Sequence, residues 1–317
     1  MELGRMKFPR HWALGSVGAG LAWGWSDVSR EAAQAEADRR ARSLAERLRG
    51  SQRPERNDGY YPGRPIREEE LREFGREGEE LFAAVTRNAS GAEVLNAAQM
   101  LFVDVDLPAP AAPGLLARLF GAKPLAAGTP SPAEDAAIAR AVAWATAHPG
   151  WGWRIYRTAA GLRLLATHDL FFPEDDVVQA AFRQLGADPL YCRLCLSQEC
   201  FRARLTPKPW RLGIRDEPPR WPWVNAAAEQ QWASWLAAYR AASASRATCE
   251  LVRTVGTAEI HPDLRDLVSL HDEACKVGSG LPLAKHTMRA CSRKRPIMLF
   301  TRILSLRPGT QIGRAHV

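Results

Sequence analysis

The sequence has no long apolar run, and none of its segments approaches the roughly 20 apolar residues that a helix needs to cross a bilayer. We therefore expect no membrane partner. Residues 12–25 faintly resemble a signal peptide because they follow basic residues, but four glycines and three tryptophans interrupt them. We interpret them as a Gly-rich strand or hairpin. The expected location is cytoplasmic, and the six cysteines are expected to be mostly reduced thiols.

Several common enzyme signatures are also missing. No G-x-S-x-G, G-x-G-x-x-G or G-x4-G-K-[ST] pattern lies between a strand and a helix. The sequence therefore does not indicate a serine hydrolase, a Rossmann-type dinucleotide site or a P-loop.

Acidic side chains are absent from residues 285–317, which contain eight Lys or Arg and no Asp or Glu. This segment accounts for the whole net charge of +8, so residues 1–284 sum to zero. The overall basic charge is therefore no sign that the main body binds nucleic acid. Because the segment lacks clear periodicity, we interpret it as an artefactual or disordered basic tail. The alternative is a basic arm that binds nucleic acid.

The apolar content of 46% and the eleven tryptophans support a packed core. The order of predicted elements is strand, helix, hairpin, helix, strand and then helices, which is typical of an α+β core with a helical C-terminal appendage. The predicted segments are a strand–helix unit with a linker at residues 1–60, an α+β core at 61–215, a helical region at 216–284 and the tail at 285–317.

Periodicity and end signals place the individual elements. The predicted helices span residues 30–49, 68–82, 132–147, 173–185, 226–246 and 262–276. The predicted strands span residues 85–88, 93–106, 153–158, 162–168 and 200–206. Residues 107–131 are rich in proline and glycine and are predicted to form a loop with one short helix at 115–120.

The apolar segment at residues 97–108 ends in two aspartates, Asp104 and Asp106. Side chains alternate along a strand, so both carboxylates lie on one face and Val103 and Val105 on the other. Two neighbouring carboxylates at a strand end suit a hard cation such as Mg²⁺ or Mn²⁺. The alternative is a pair of solvated carboxylates, because an isolated D-x-D pattern is common.

Two further stretches are candidates for phosphate binding. The small-residue turn at 158–162 leads to Arg163, and both backbone N–H groups and arginine suit phosphate oxygens. The second stretch, residues 201–223, interleaves basic residues with three tryptophans, as proteins that bind single strands often do. For residues 158–163, the alternative is an ordinary hairpin turn. For residues 201–223, the alternative is that the tryptophans cover the core and the arginines lie on the surface.

Together these features resemble the archaeo-eukaryotic primase superfamily, the primase–polymerases. The resemblance covers about residues 93–211. It implies an RRM-like antiparallel or mixed sheet core with helices on one face, and a first acidic motif in which Asp104 and Asp106 hold Mg²⁺ or Mn²⁺. It also implies nucleotide and single-stranded nucleic acid as partners, and nucleotidyl transfer as the reaction of an active member.

The second motif of that family has two candidate positions, Arg163 and His168. Arg163 and His168 are five residues apart on one predicted strand, so their side chains point to opposite faces. Without a bulge, only one of them can face the metal. The resemblance implies that His168 is catalytic with Asp104 and Asp106, or that Arg163 contacts a nucleotide phosphate. The third, acidic motif is missing, because the later strand offers arginines. The side chains predicted to hold a template or phosphate are Arg202, Arg204, Lys208 and Arg211. The alternative function is a non-catalytic module that binds single-stranded nucleic acid or protein through residues 201–223.

A C-x2-C-x4-C cluster is formed by Cys192, Cys195 and Cys200. Zinc usually takes four ligands, and a fourth would have to come from a distant histidine, so we interpret these cysteines as small buried thiols on a helix rather than as a zinc site. His271 lies four residues after Leu267 on a predicted helix, and we interpret it as a partly buried core histidine.

Overall fold

The computed structural model describes residues 8–49, 65–75, 81–108 and 131–284. All of them belong to one unit, residues 1–286. They form helices and antiparallel sheets, so the predicted α+β class is confirmed. The RRM-like layout stays a prediction. Within the described ranges, no helix is both long enough and apolar enough to cross a membrane.

Three predictions concern residues outside these ranges. They are most of the linker after the first helix, the short helix at 115–120 and the basic tail at 285–317.

Ten strands and six α-helices are found within the described residues. The strands are β1 (His11–Val17), β2 (Gly20–Ser26), β3 (Glu69–Gly75), β4 (Leu81–Arg87), β5 (Glu93–Ala97), β6 (Phe102–Asp106), β7 (Gly152–Thr158), β8 (Gly161–Leu165), β9 (Phe201–Arg204) and β10 (Cys249–Gly256). The helices are α1 (Arg30–Arg49), α2 (Pro132–Ala147), α3 (Asp176–Leu185), α4 (Pro189–Gln198), α5 (Ala226–Ser243) and α6 (Arg265–Cys275), with 3₁₀ turns at Pro209–Leu212 and Pro262–Leu264.

The first hairpin and helix confirm the prediction for this part of the chain. Strands β1 and β2 pair antiparallel, and helix α1 buries a stripe of alanines against them. Glycine in β2 allows this close approach, because a Cβ atom at Gly24 would overlap the backbone of Ala37. Small residues on both sides therefore set the distance between the helix and the hairpin.

The first four-stranded sheet has the order β3-β4-β5-β9. The prediction of a helix at residues 68–82 was wrong, because β3 and the start of β4 occupy the described part of it. Residues Glu69 and Glu70 have high helix propensity, but pairing of β3 with β4 overrides that preference. The charges of β3 are tolerated because it lies at the edge of the sheet, where Glu69 pairs with Arg87.

The second four-stranded sheet has the order β10-β7-β8-β6. The single strand predicted at 93–106 is divided, so β5 lies in the first sheet and β6 in the second. The hairpin of β7 and β8 is as predicted, although β8 ends at Leu165 instead of residue 168. The chain thus passes from one sheet to the other just before Asp104.

The region 216–284 contains the two predicted helices and also a strand that the prediction omitted. Strand β10 pairs antiparallel with β7 and forms one edge of the second sheet. Helix α6 follows it and buries Leu267, Val268 and His271. The C-terminal region is therefore part of the core that holds the candidate site.

We predict that Gly24→Ala destabilises the fold, because its methyl group would collide with the backbone of helix α1. Such overpacking typically costs about 1–3 kcal/mol in the free energy of unfolding. Denaturant unfolding, combined with amide hydrogen exchange in α1, measures the loss. Gly75→Ala is the matched control, because a Cβ atom there meets no atom of the described residues within 4 Å. Equal stability of the two variants would contradict this packing.

Candidate functional site

Strand β6 brings Asp104 and Asp106 to one side of a cleft, as the alternation of the sequence predicts. Val103 and Val105 are buried on the other face. In the antiparallel register, Asp104 lies opposite Arg163 and Asp106 lies opposite Gly161. The D-x-D pattern and the basic residue after the small-residue turn are therefore neighbours across β6 and β8.

Arg163 lies almost wholly inside the protein and holds Asp104 by an ion pair. Its Nε donates to Oδ1 of Asp104 over 3.1 Å, and its Nη1 donates to the carbonyl oxygen of Arg204 over 3.0 Å. The Arg163 side chain is 3% exposed, whereas that of Asp104 is 36% exposed. Asp104 thus neutralises a buried cation and still reaches the cleft.

A third carboxylate, Asp188, also lines the cleft. Its backbone N–H donates to the carbonyl of Asp104 over 2.9 Å, and its Oδ1 accepts from the N–H of Leu190 at the start of helix α4. Sequence reasoning missed this residue. The available signal was Asp before Pro189, which indicates a helix cap and says nothing of the distant β6 strand.

Besides Arg163, three cations line the cleft together with these carboxylates: Arg204, Lys208 and Arg211. None of the three forms an ion pair within 4.0 Å with a described residue, and the Nε atoms of both arginines are buried without a hydrogen-bond partner there. The segment that carries Lys208 is anchored by Tyr239, whose hydroxyl donates to the carbonyl of Pro207 over 2.7 Å.

The electrostatics of the cleft show crowding of like charges on both sides. Burial, Asp188 and Asp104 raise the pKa of Asp106 above its ordinary value. Burial together with Arg204 and Arg211 lowers the pKa of Lys208 to about 8. Both shifts disfavour the charged form, so a cation beside the carboxylates and an anion beside the basic residues would each relieve the crowding.

The cleft has a volume of about 300 Å³, which is at the lower end of the range for small-ligand sites. The turn between β7 and β8 forms part of its wall, and the binding of phosphate by this turn stays a prediction. The N–H of Ala160 in that turn donates to Oγ1 of Thr158, however, so this amide is already engaged. The polar groups that face the cleft are therefore mainly side chains, and not backbone N–H groups of this turn.

His168, which was predicted to be catalytic, lies outside the cleft. His168 packs against Trp151 and Phe171, and burial lowers its pKa. The register explains its position: Leu165 pairs with Phe102 at the far end of β6, and His168 follows beyond it. The structure therefore places Arg163, and not His168, beside the aspartates.

Arg202 was predicted to hold phosphate, but it has an internal partner. Its Nη2 donates to both oxygens of Glu68 over 2.7 Å, and its Nη1 donates to Gln198. Glu68 lies far away in the sequence, so this pairing could not be foreseen from spacing. Arg202 therefore does not line the cleft, and its contact with phosphate stays a prediction.

The basic and aromatic stretch at 201–223 is divided by the fold. Arg204, Lys208 and Arg211 face the cleft, while Trp223 packs against Trp232 with ring centroids 6.1 Å apart. The rings of Trp232 and Trp235 are stacked in turn. Trp223 therefore supports helix α5, whereas Nζ of Lys208 lies 5.3 Å from the ring centroid of Trp210, and the use of residues 201–223 as a binding surface stays a prediction.

The cysteines of the C-x2-C-x4-C pattern pack as thiols of the interior. Cys192 and Cys195 lie on helix α4, and Cys195 belongs to the main apolar core. Cys200 belongs to a separate apolar cluster with Phe8 and Ile66. Burial raises the pKa of all three thiols.

Comparison with protein-family models, with curated proteins and with solved structures finds no match for this chain. The resemblance to primase–polymerases therefore rests on the sequence motifs, and it stays a prediction.

Proposed function

We propose that the cleft binds the phosphate groups of a nucleotide or nucleic acid together with Mg²⁺ or Mn²⁺. The observation that carries this proposal is the charge arrangement: three carboxylates share one cleft with three cations that lack ion-pair partners among the described residues. A metal-bound phosphate ester is complementary to both sets of groups, because the metal meets the carboxylates and the phosphate oxygens meet the basic side chains.

The carboxylates fit a hard cation by their chemistry. Oxygen donors are the ligands that Mg²⁺ prefers, and this ion commonly retains several waters and uses only one or two protein carboxylates. Asp104, Asp106 and Asp188 do not gather three ligand atoms within 4.8 Å of one another. A cation held here would therefore need water or phosphate oxygens to complete its coordination. When bound, the cation would neutralise phosphate charge.

The protein's own residues would position the ligand. Lys208 and Arg211 would hold phosphate oxygens, and Arg204 would add positive potential at the base of the cleft. Arg163 would act through Asp104, because its buried guanidinium fixes the orientation of that carboxylate. We infer a divergent primase–polymerase-like protein that handles a nucleotide or nucleic acid, with nucleotidyl transfer as the reaction class that such a site would support.

The alternative is a non-catalytic module that uses the 201–223 surface. This alternative predicts that the protein binds single-stranded nucleic acid with an affinity that depends on salt concentration and does not depend on divalent metal. The internal pairing of Arg202 and the packing of Trp223 favour the cleft over this continuous surface.

Asp106 offers the cleanest test, because Asp104 also neutralises a buried arginine. We predict that Asp106→Asn weakens Mn²⁺-dependent binding of a nucleoside triphosphate at least about tenfold, equivalent to about 1.4 kcal/mol, by removing an anionic ligand. Isothermal titration with and without Mn²⁺ measures the effect. Asp135→Asn, which alters an exposed carboxylate on helix α2, is the control. If Asp106→Asn bound the triphosphate with unchanged metal dependence, the proposed cation site would be contradicted.

Lys208 gives the cleft a pH dependence of known sign. Because its pKa is lowered to about 8, the ammonium is lost as pH rises from 7 to 9, and affinity for a triphosphate should fall several-fold over that range. Lys208→Arg should flatten the profile, since guanidinium stays charged. Binding measured by fluorescence anisotropy across this range provides the test.

The control for Lys208 is Arg215→Gln, which alters an exposed residue of the same stretch outside the cleft. We expect it to leave both the affinity and the pH profile unchanged. If Arg215→Gln weakened binding more than Lys208→Met did, the 201–223 surface, and not the cleft, would be the binding site.

A further inference from the structure

A second cluster of polar side chains lies behind Arg163, inside the protein. Cys249 on β10 meets His271 and Cys275 on helix α6, and the ligand atoms of all three lie within 4.8 Å of one another. All three residues are completely buried. His271 and Cys275 are one helical turn apart, so they project from the same face of α6 towards the strand.

The histidine of this cluster is held by a carboxylate. Nδ1 of His271 lies 2.9 Å from Oδ1 of Asp272, so the ring donates from Nδ1 and presents an unprotonated Nε2 to the interior. Asp272 is in turn held by the hydroxyl of Tyr156 at 2.8 Å and by Nη2 of Arg154 at 2.6 Å. A carboxylate behind a histidine is the usual support of a metal-binding imidazole.

Both thiols of the cluster are free, because neither Cys249 nor Cys275 forms a disulfide. Sγ of Cys275 donates a hydrogen bond to the carbonyl oxygen of Arg204 over 3.6 Å, so an oxygen atom that could act as a further ligand lies next to the cluster.

We propose that Cys249, His271 and Cys275 bind a structural zinc ion, or a similar thiophilic transition metal. Two thiolates and one imidazole are ligands that zinc prefers, and an oxygen donor would complete a tetrahedral site. The metal would join strand β10 to helix α6 and thereby fix the wall behind Arg163.

The buried arginine is compatible with such a metal. A divalent ion with two thiolates carries no net charge, so it adds no repulsion against the guanidinium. Nη1 of Arg163 lies 3.3 Å from Nε2 of His271, and it can give up this contact because the ion pair with Asp104 still holds the side chain. The proposal does not depend on the function of the cleft, because the two sites share no ligand.

The test is metal analysis of the full chain purified without chelator. We expect about one zinc per chain in the wild type and less than a tenth of that in the Cys249→Ser/Cys275→Ser variant. Cys192→Ser, which alters a half-buried thiol on helix α4, and Asp106→Asn should both keep the metal. Zinc retained in the double variant would overturn the site.

A spectroscopic measurement on the wild type avoids any loss of folding in the variant. Cobalt added to the reduced, metal-free chain should give thiolate-to-cobalt charge-transfer absorption in the near ultraviolet, and zinc should displace it. Absence of zinc together with absence of the cobalt spectrum would overturn the proposal, as would a Cys249–Cys275 disulfide in chain that takes up no metal.

Discussion

The guanidinium of Arg163 joins parts of the protein that are distant in sequence. Its side chain is buried and contacts Asp104 on β6, the backbone of Arg204 on β9 and His271 on helix α6. A buried cation needs a partner, and removal of one member of such a pair typically costs about 3–5 kcal/mol. Asp104 is therefore a structural residue as well as a candidate ligand, and the two sheets are joined at the edge of the cleft.

The charges of the cleft follow from this arrangement. Once Arg163 is neutralised inside, Arg204, Lys208 and Arg211 still have no ion-pair partner among the described residues, while Asp106 and Asp188 remain close enough to repel. Folding thus concentrates like charges on both sides of a small cavity. A protein gains nothing in stability from such crowding, which supports a role in binding a ligand that carries both signs of charge.

Sequence patterns predicted the parts of the site that depend on local order. Alternation along β6 put Asp104 and Asp106 on one face, and the small-residue turn indicated the β7–β8 hairpin that carries Arg163. Predictions failed where distant contacts decide the outcome. The acidic segment before β4 has the propensity of a helix but pairs as an edge strand.

The same reason accounts for the predicted site residues that lie outside the cleft. Arg202 shares a face of β9 with Arg204, yet Glu68, beside the strand at the opposite edge of the sheet, holds it. His168 is close to Arg163 in sequence, but the antiparallel register carries it to the far end of β6. Asp188 and the Cys249–His271–Cys275 cluster come together only through the packing of separate elements, which spacing along the chain does not reveal.

The most direct measurement is anomalous diffraction from crystals of the protein grown with Mn²⁺ and a non-hydrolysable nucleoside triphosphate. The account predicts an anomalous peak beside the carboxylates of Asp104 and Asp106, with phosphate density against Lys208 and Arg211. A cleft without manganese, or triphosphate bound at the exposed side of residues 215–223, would contradict it.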